Sequence, residues 1–462
     1  MPTKSGLRLI SWLLLGLIPS GVAAAQDSER AFAVEREVLR IAAERALWPK
    51  FDPLSIPLAV FTGERTYLFR HPAPPEGFTA VPDGRALAFV FPGRYPAVTA
   101  NTSAEVGGTL TATLLADRSD PATTTNDLAA VALHEAFHVY QKRQHPGWAG
   151  NEGDLLLYPI DDARLLALRR LESEALRRAL SAPDTRATAC WTRLAMAHRR
   201  ERFAAMEPAF SAYERLTELN EGLAAYVQLI AGGRKTVEIP AGEFAPAQVR
   251  ARVYAIGPAL ALLLDRLRPG WQESVESGEV KFLDEALESA AGKTGEEPAP
   301  CSWTPAEVAG IESAAKNDTA SVVQDRASRR KAFDARSGWR VIVEPADGRP
   351  LWPQGFDPLN VERVDGGLLH TRFLKLGNDD GDLQAIDEAG ADIEAFTEGA
   401  GPHPLFNGVR RVVVAGLAKP EIATEGGTVT IRGSGFTATF KNAGVRTDGT
   451  TVVVRVAGPA GP

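Results

Sequence analysis

The string His134-Glu135-Ala136-Phe137-His138 sets two imidazoles four residues apart, with a carboxylate beside the first. On a helix, residues four apart lie one above the other, so both rings can reach one metal ion. Glu135 projects about 100° around the helix axis from His134. From there it can take a proton from a metal-bound water without ligating the metal, as a general base must. The chain has only seven histidines, so a pair at this spacing is informative. The alternative is two core histidines satisfied by hydrogen bonds and a glutamate in a salt bridge. Burying such groups without partners is costly, and a divalent metal is the most economical partner.

A catalytic zinc site takes three protein ligands plus water. His145 precedes Pro146 and reads as a loop residue, so the third ligand is expected to be a carboxylate on a later helix. Two candidates stay open. Glu221 lies in Leu219-Asn220-Glu221-Gly222-Leu223-Ala224-Ala225-Tyr226, inside a helical stripe of Leu216, Leu219, Leu223, Val227 and Ile230. Gly222, Ala224 and Ala225 keep that helix slim. A helix-interior glycine costs about 1 kcal/mol relative to alanine, which points to a packing reason. Glu218 shares the face of Glu221 and is a candidate partner for orienting a ligand histidine. The rival is Glu172, near the stripe of Leu165, Leu168, Leu171, Ala175 and Ala179, whereas Glu174 points to solvent.

These residues resemble the gluzincins, metallopeptidases with HExxH plus a zinc-binding glutamate. The likeness is greatest to the aminopeptidase N family, whose zinc glutamate sits in a Leu-Asn-Glu-Gly-Phe-Ala-x-Tyr string. Leu219 to Tyr226 repeats it with Leu223 in place of phenylalanine. The resemblance implies Zn²⁺ held by His134, His138 and Glu221, with Glu135 as general base. That family also has a Tyr-x-Lys-Gly-Ala segment opening an apolar helix, whose tyrosine stabilises the tetrahedral intermediate. Tyr254-Ala255-Ile256-Gly257-Pro258-Ala259-Leu260 is similar, so Tyr254 is the implied oxyanion donor; otherwise it is an ordinary core tyrosine.

Three departures narrow what carries over. The interval from His138 to Glu221 is far longer than in the aminopeptidases, Ile256 replaces the lysine, and the Gly-Ala-Met-Glu-Asn amino-terminus signature is absent. The resemblance, over residues 126–144 and 216–268, implies zinc hydrolysis without aminopeptidase specificity. It is nearest to the secreted bacterial peptidase MA-like group.

The elements that must position these residues follow from pattern. Residues 126–144 read as one buried helix, with oxygen-bearing side chains at 123–126 for a cap and Asp127 suited to the positive end of the dipole. Ahead of it, residues 29–47 read as a helix and 58–61, 66–69, 86–91 and 109–115 as strands of a small antiparallel sheet. By the gluzincin analogy, the edge strand at 108–116 is the candidate that holds an extended peptide through backbone bonds. Residues 162–181, 187–206, 208–232, 244–268, 279–291 and 304–333 read as helices, with Gly257-Pro258 a kink in the fourth. From about 337, Gly, Thr and Val rise, and strands are expected at 339–343, 367–373, 383–387, 409–414, 427–432 and 450–456. The expected fold class is α+β: a zincin-like catalytic domain over 26–335, with sheet part 50–120 and helical part 124–335, then a β-sandwich-like domain over 336–462. His370 and His403 read as structural. Leu47-Trp48-Pro49-Lys50-Phe51-Asp52-Pro53-Leu54 is echoed at 351–359, which suggests a shared turn-and-anchor motif.

Residues 1–25 read as a secretory signal: Lys4 and Arg8, an apolar run from Leu9 to Ile18, and Ala23-Ala24-Ala25 before Gln26. That run is too short to span a bilayer, and no other stretch qualifies, so an exported soluble protein is expected, periplasmic or extracellular. Cys190 and Cys301 are the only cysteines. In an oxidising compartment they can pair, tying residues 187–203 to the segment after Pro298; lacking CxxC spacing, they do not suit zinc. Formal net charge is -7 with both signs mixed. Arg199, Arg200 and Arg202 read as a solvated helix face, and no basic patch suggests nucleic acid. The expected activity is zinc-dependent hydrolysis of a peptide or protein substrate. The alternatives are a non-catalytic envelope protein on a peptidase scaffold and a zinc hydrolase of non-peptide bonds.

Overall fold

The computed structural model describes residues 20–81, 88–120, 122–292, 301–357, 360–386 and 393–457. Most of the expected signal segment and the start of the strand expected at 86–91 lie outside these residues. The chain is mixed: helices dominate after the first sheet, and β-sheets fill the C-terminal region. It divides into two compact units that are discontinuous in sequence. The first comprises Met1–Trp148, Leu219–Val237 and Gly270–Lys281, the second Ala149–Glu218, Glu238–Pro269 and Phe282–Pro462.

In the first unit, six strands form one sheet: β1 (Leu58–Phe61), β2 (Arg65–Phe69), β3 (Thr79–Ala80), β4 (Ala88–Pro92), β5 (Thr102–Val106) and β6 (Thr109–Leu115), in the order β3-β4-β2-β1-β6-β5. The expectation of a purely antiparallel sheet is corrected, because β1 and β6 pair in parallel. The long excursion through β2 to β5 supplies the crossover that a parallel pair needs. The expected edge strand is corrected too. β6 lies between β1 and β5, and β5 forms the edge. The reason is the β5–β6 hairpin, whose turn residues Gly107 and Gly108 both have positive φ.

One helix, Thr125–Gln144, packs against β6. Thr124 caps it, and a reciprocal pair of bonds with Asp127 completes a capping box. Its C-terminal half is anchored through Trp48, whose ring packs edge-on against Phe137, Trp148 and Trp271. The buried Glu276 carboxylate accepts from Trp48 Nε1 at 2.9 Å and Tyr140 Oη at 2.7 Å, and pairs with His145 Nε2 at 2.9 Å. The echo at 351–359 does not reproduce this anchor: Trp48 is 4% exposed and Trp352 48%.

In the second unit, helices span Ala163–Leu180, Thr185–Ala204, Pro208–Thr217, Val249–Leu267, Leu283–Gly292 and Pro305–Asp334. Pro258 is accommodated inside the fourth without ending it. Cys190 and Cys301 form a disulfide with Cα atoms 6.1 Å apart. The reading of Arg199 and Arg202 as solvated is corrected, since they are 1% and 0% exposed. Both pair with Glu172, Arg199 also with Glu218, and Arg202 also with Glu214.

The C-terminal part of this unit carries a seven-stranded and a six-stranded sheet. The first contains β7 (Trp339–Glu344), β9 (Val361–Val364), β10 (Gly367–His370), β13 (Glu394–Gly399), β14 (Val409–Leu417), β18 (Ala443–Asp448) and β19 (Thr451–Val456). The second contains β8 (Trp352–Phe356), β11 (Phe373–Asn378), β12 (Gly381–Ile386), β15 (Glu421–Glu425), β16 (Thr428–Gly433) and β17 (Phe436–Phe440). Val341, Leu368 and Val412 from one sheet and Leu376, Ile431 and Phe440 from the other share a core cluster, the layering of a sandwich. His370 bonds Thr397 Oγ1 at 3.2 Å, and His403 Nδ1 accepts from the N–H groups of Leu405 and Phe406, so both serve structure.

Candidate metal centre

Within the first unit, His134 Nε2 and His138 Nε2 lie 3.1 Å apart on successive turns of the helix Thr125–Gln144. Glu221 Oε2 faces both, 3.3 Å from His138 Nε2 and 3.8 Å from His134 Nε2. Ligands about 2.0–2.1 Å from a tetrahedral Zn²⁺ are separated by about 3.3–3.4 Å, so this triangle has the right edge lengths for one ion. Glu135 completes a His-Glu-His group whose ligand atoms lie within 4.8 Å of one another. His134, Glu135 and Glu221 are 6%, 7% and 8% exposed. A buried set of two imidazoles and carboxylates is the donor chemistry of a borderline-soft divalent ion.

The tautomer of His138 follows from its neighbours. Its Nδ1 faces Gln141 Oε1 at 2.8 Å and Asn220 Oδ1 at 3.0 Å. Gln141 Nε2 donates to the Leu219 and Asn220 carbonyls at 2.8 and 2.9 Å. Those two bonds fix the amide with its nitrogen toward the carbonyls and its oxygen toward the ring. Nδ1 therefore carries the proton. In the neutral ring, Nε2 presents a lone pair toward His134 and Glu221, the form that ligates metal.

Glu221 is held by a π-helical turn, Glu218–Gly222, inserted between the helices Pro208–Thr217 and Leu223–Ala231. Single π turns recur where a helix must re-aim a side chain at a functional site. The helix Leu223–Ala231 packs on the histidine helix, bringing the remote carboxylate to the imidazoles.

Burial dominates the electrostatics. It pushes His134 down to about 3, helped by the charge of His138 and opposed by that of Glu221, and keeps that ring neutral. Burial also lowers His138, but hydrogen bonding to Glu221 and its charge outweigh it, so the net shift is upward. Glu135 is raised to about 7 by burial, with the Glu221 charge adding and His138 and Lys142 opposing. A carboxylate near neutrality is matched to proton transfer in either direction.

The other candidates go elsewhere. Glu172 belongs to the second unit, where its oxygens are bound by Arg199, Arg202 and Arg252. It is the centre of a buried ion network, and the carboxylate that faces the two imidazoles is that of Glu221. Glu218 does not orient a histidine, because both of its oxygens pair with Arg199. Asn220 and Gln141 take that part. Gln141 was legible as the residue three after His138 on the same helical face, and Asn220 as the neighbour of Glu221. Tyr254 lies in the second unit on the helix Val249–Leu267 and is 40% exposed, so it is not a core tyrosine. The guanidinium of Arg250 stands over its ring and donates to its hydroxyl at 3.3 Å.

Comparison with protein-family models, curated proteins and solved structures found no match to this chain.

Proposed function

We propose that this protein is a zinc-dependent peptidase with a gluzincin-type site and a zincin-like catalytic region. The observation that carries the reading is the triangle of His134 Nε2, His138 Nε2 and Glu221 Oε2, with edges of 3.1, 3.3 and 3.8 Å beside the buried Glu135. His134, His138 and Glu221 would hold the ion. When bound, Zn²⁺ supplies Lewis acidity toward a carbonyl and lowers the pKa of water.

The chain's own residues supply the rest. Glu135 accepts a proton from the attacking water and returns it to the leaving amine, a role open to a buried carboxylate beside the two imidazoles. Gln141 and Asn220 keep the His138 ring in the ligating tautomer. Tyr254 is assigned as donor to the developing oxyanion, on the similarity of its segment to the tyrosine segment of the aminopeptidases. The substrate is an extended peptide.

The proposal includes export. The positive start, apolar run and small-residue cleavage site in residues 1–25 support it, and a disulfide suits an oxidising compartment. Among the described residues no helix is long and apolar enough to cross a membrane.

The test has two arms. Protein purified without chelators should carry one zinc per chain by mass spectrometry. Glu135→Gln should retain that metal and lose hydrolysis of unfolded casein by a factor on the order of 10²–10⁴. Absence of stoichiometric metal defeats the site. Full metal without casein hydrolysis, but with cleavage of an ester or sugar-amide panel, defeats the peptidase assignment and keeps the hydrolase.

A further inference from the structure

Strand β9 closes one end of the seven-stranded sheet and, among the described residues, pairs on one side only, with β10. The pairing is antiparallel, and beyond its end Thr371 N–H donates to the Asn360 carbonyl at 3.1 Å. Opposed residues in such a ladder alternate between bonded and non-bonded pairs. With Asn360 and Thr371 bonded, the bonded pairs are Glu362 with Leu369 and Val364 with Gly367. Val361 and Arg363 therefore turn their N–H and C=O groups away from β10. Among the described residues, no other backbone hydrogen bond reaches them.

A cavity of about 360 Å³ runs along this strand. Its apolar lining includes Leu155, Leu156, Ile160, Val322 and Val361. A second cavity of about 400 Å³ shares Arg326, Arg363 and Val364 with it and is bordered by Gly366 and Gly399. The cations along the two cavities differ. Arg326 is bonded to Asp161, and Arg329 to Glu362 and Glu394. Arg363 is exposed and has no ion-pair partner among the described residues.

We propose that β9 docks an extended peptide segment by strand addition, with an apolar side chain in the first cavity and a carboxylate beside Arg363. Outward N–H and C=O groups at alternate positions are what an added strand bonds to. The apolar lining takes one side chain, and the guanidinium of Arg363 takes the acid, with Asp161, Asp325, Glu362 and Asp365 also on the two linings and disfavouring an acid placed anywhere but at Arg363. The site belongs to the second unit and shares no residue with the imidazole–carboxylate cluster, so it stands or falls apart from the metal reading.

The test uses full-length protein carrying Glu135→Gln, so that cleavage does not compete with binding. The probe is an end-blocked, fluorescein-labelled Thr-Val-Ile-Asp-Val-Glu peptide, titrated by anisotropy against the same peptide with both acids replaced by lysine. Val361→Pro deletes one outward N–H and no ladder bond, and Arg363→Glu reverses the cation. The expected result is saturable binding of the acidic peptide, weakened about tenfold or more by the lysine replacements and by each substitution, with melting unchanged. If Val361→Pro lowers the melting temperature, Arg363→Glu alone decides. No binding by the parent up to about 1 mM peptide, or equal binding after Arg363→Glu, overturns the proposal.

Discussion

Gln141 and His138 form an acceptor–donor pair on one helical face, with Oε1 of the amide 2.8 Å from Nδ1 of the ring. The same amide donates to two carbonyls of the π turn that carries Glu221, so one side chain ties two of the three candidate ligands together. Gln141→Leu should weaken zinc binding about 10–100-fold, the usual cost of losing a partner behind a ligand histidine. Gln141→Glu keeps the acceptor and loses both donors, so its affinity should fall between. Competition against a colorimetric zinc chelator measures both. Affinity equal to the parent in Gln141→Leu would remove the clamp from the account.

Glu221, the expected third ligand, and its rival Glu172 should respond in opposite ways. Glu221→Ala should abolish stoichiometric zinc with a small change in melting, because it removes a ligand from a partly polar site. Glu172→Ala leaves the buried guanidiniums of Arg199, Arg202 and Arg252 short of a shared carboxylate. Breaking a buried ion network in this way costs about 3–5 kcal/mol. Zinc content and urea denaturation on the same two preparations separate the roles. Zinc lost in both, with equal stability, would undo the assignment of Glu172 to structure.

That contrast shows which features were legible in the sequence. The histidine helix was readable almost to the residue, because its cap, its apolar run and its imidazole spacing are all local signals. Glu221 was nominated by a string and a stripe, and the π turn that turns it toward the imidazoles has no comparable local pattern. The burial of Arg199 and Arg202 was hidden because their carboxylates come from other segments: Glu172 from one helix, Glu214 from another and Glu218 from the π turn. Strand β5 was hidden because Thr102-Ser103-Ala104-Glu105-Val106 is weakly apolar, although the paired glycines after it marked a turn. Missing β5 made β6 look like an edge.

Acid should loosen the C-terminal sheets through His370. Burial pushes this imidazole down to about 3 from an ordinary value of 6.5. The unfolded chain therefore takes up a proton below pH 6.5 that the folded chain refuses, so stability is full above that pH and falls as pH drops toward 3. The slope is about 1.4 kcal/mol per pH unit across that window. His370→Leu removes the titration at the cost of one bond to Thr397. Urea midpoints between pH 7 and pH 4 should fall less steeply in the variant than in the parent. Parallel curves would mean that His370 is not the group responsible.

The disulfide makes a prediction that activity assays would not reveal. Cys190 and Cys301 are 111 residues apart in sequence, so the bridge closes a long loop in the unfolded chain. Loop-closure entropy for a loop of that order amounts to about 4–5 kcal/mol, and measured values commonly fall nearer 2–4. Native protein should show no reactive thiol toward a thiol-titrating dye. Protein made in a reducing cytoplasm should show two. Replacing both cysteines with serine should lower stability by that amount while leaving zinc content intact, since neither cysteine belongs to the histidine helix or the π turn. Two free thiols in protein recovered from the periplasm would argue against both the bridge and the oxidising compartment proposed for it.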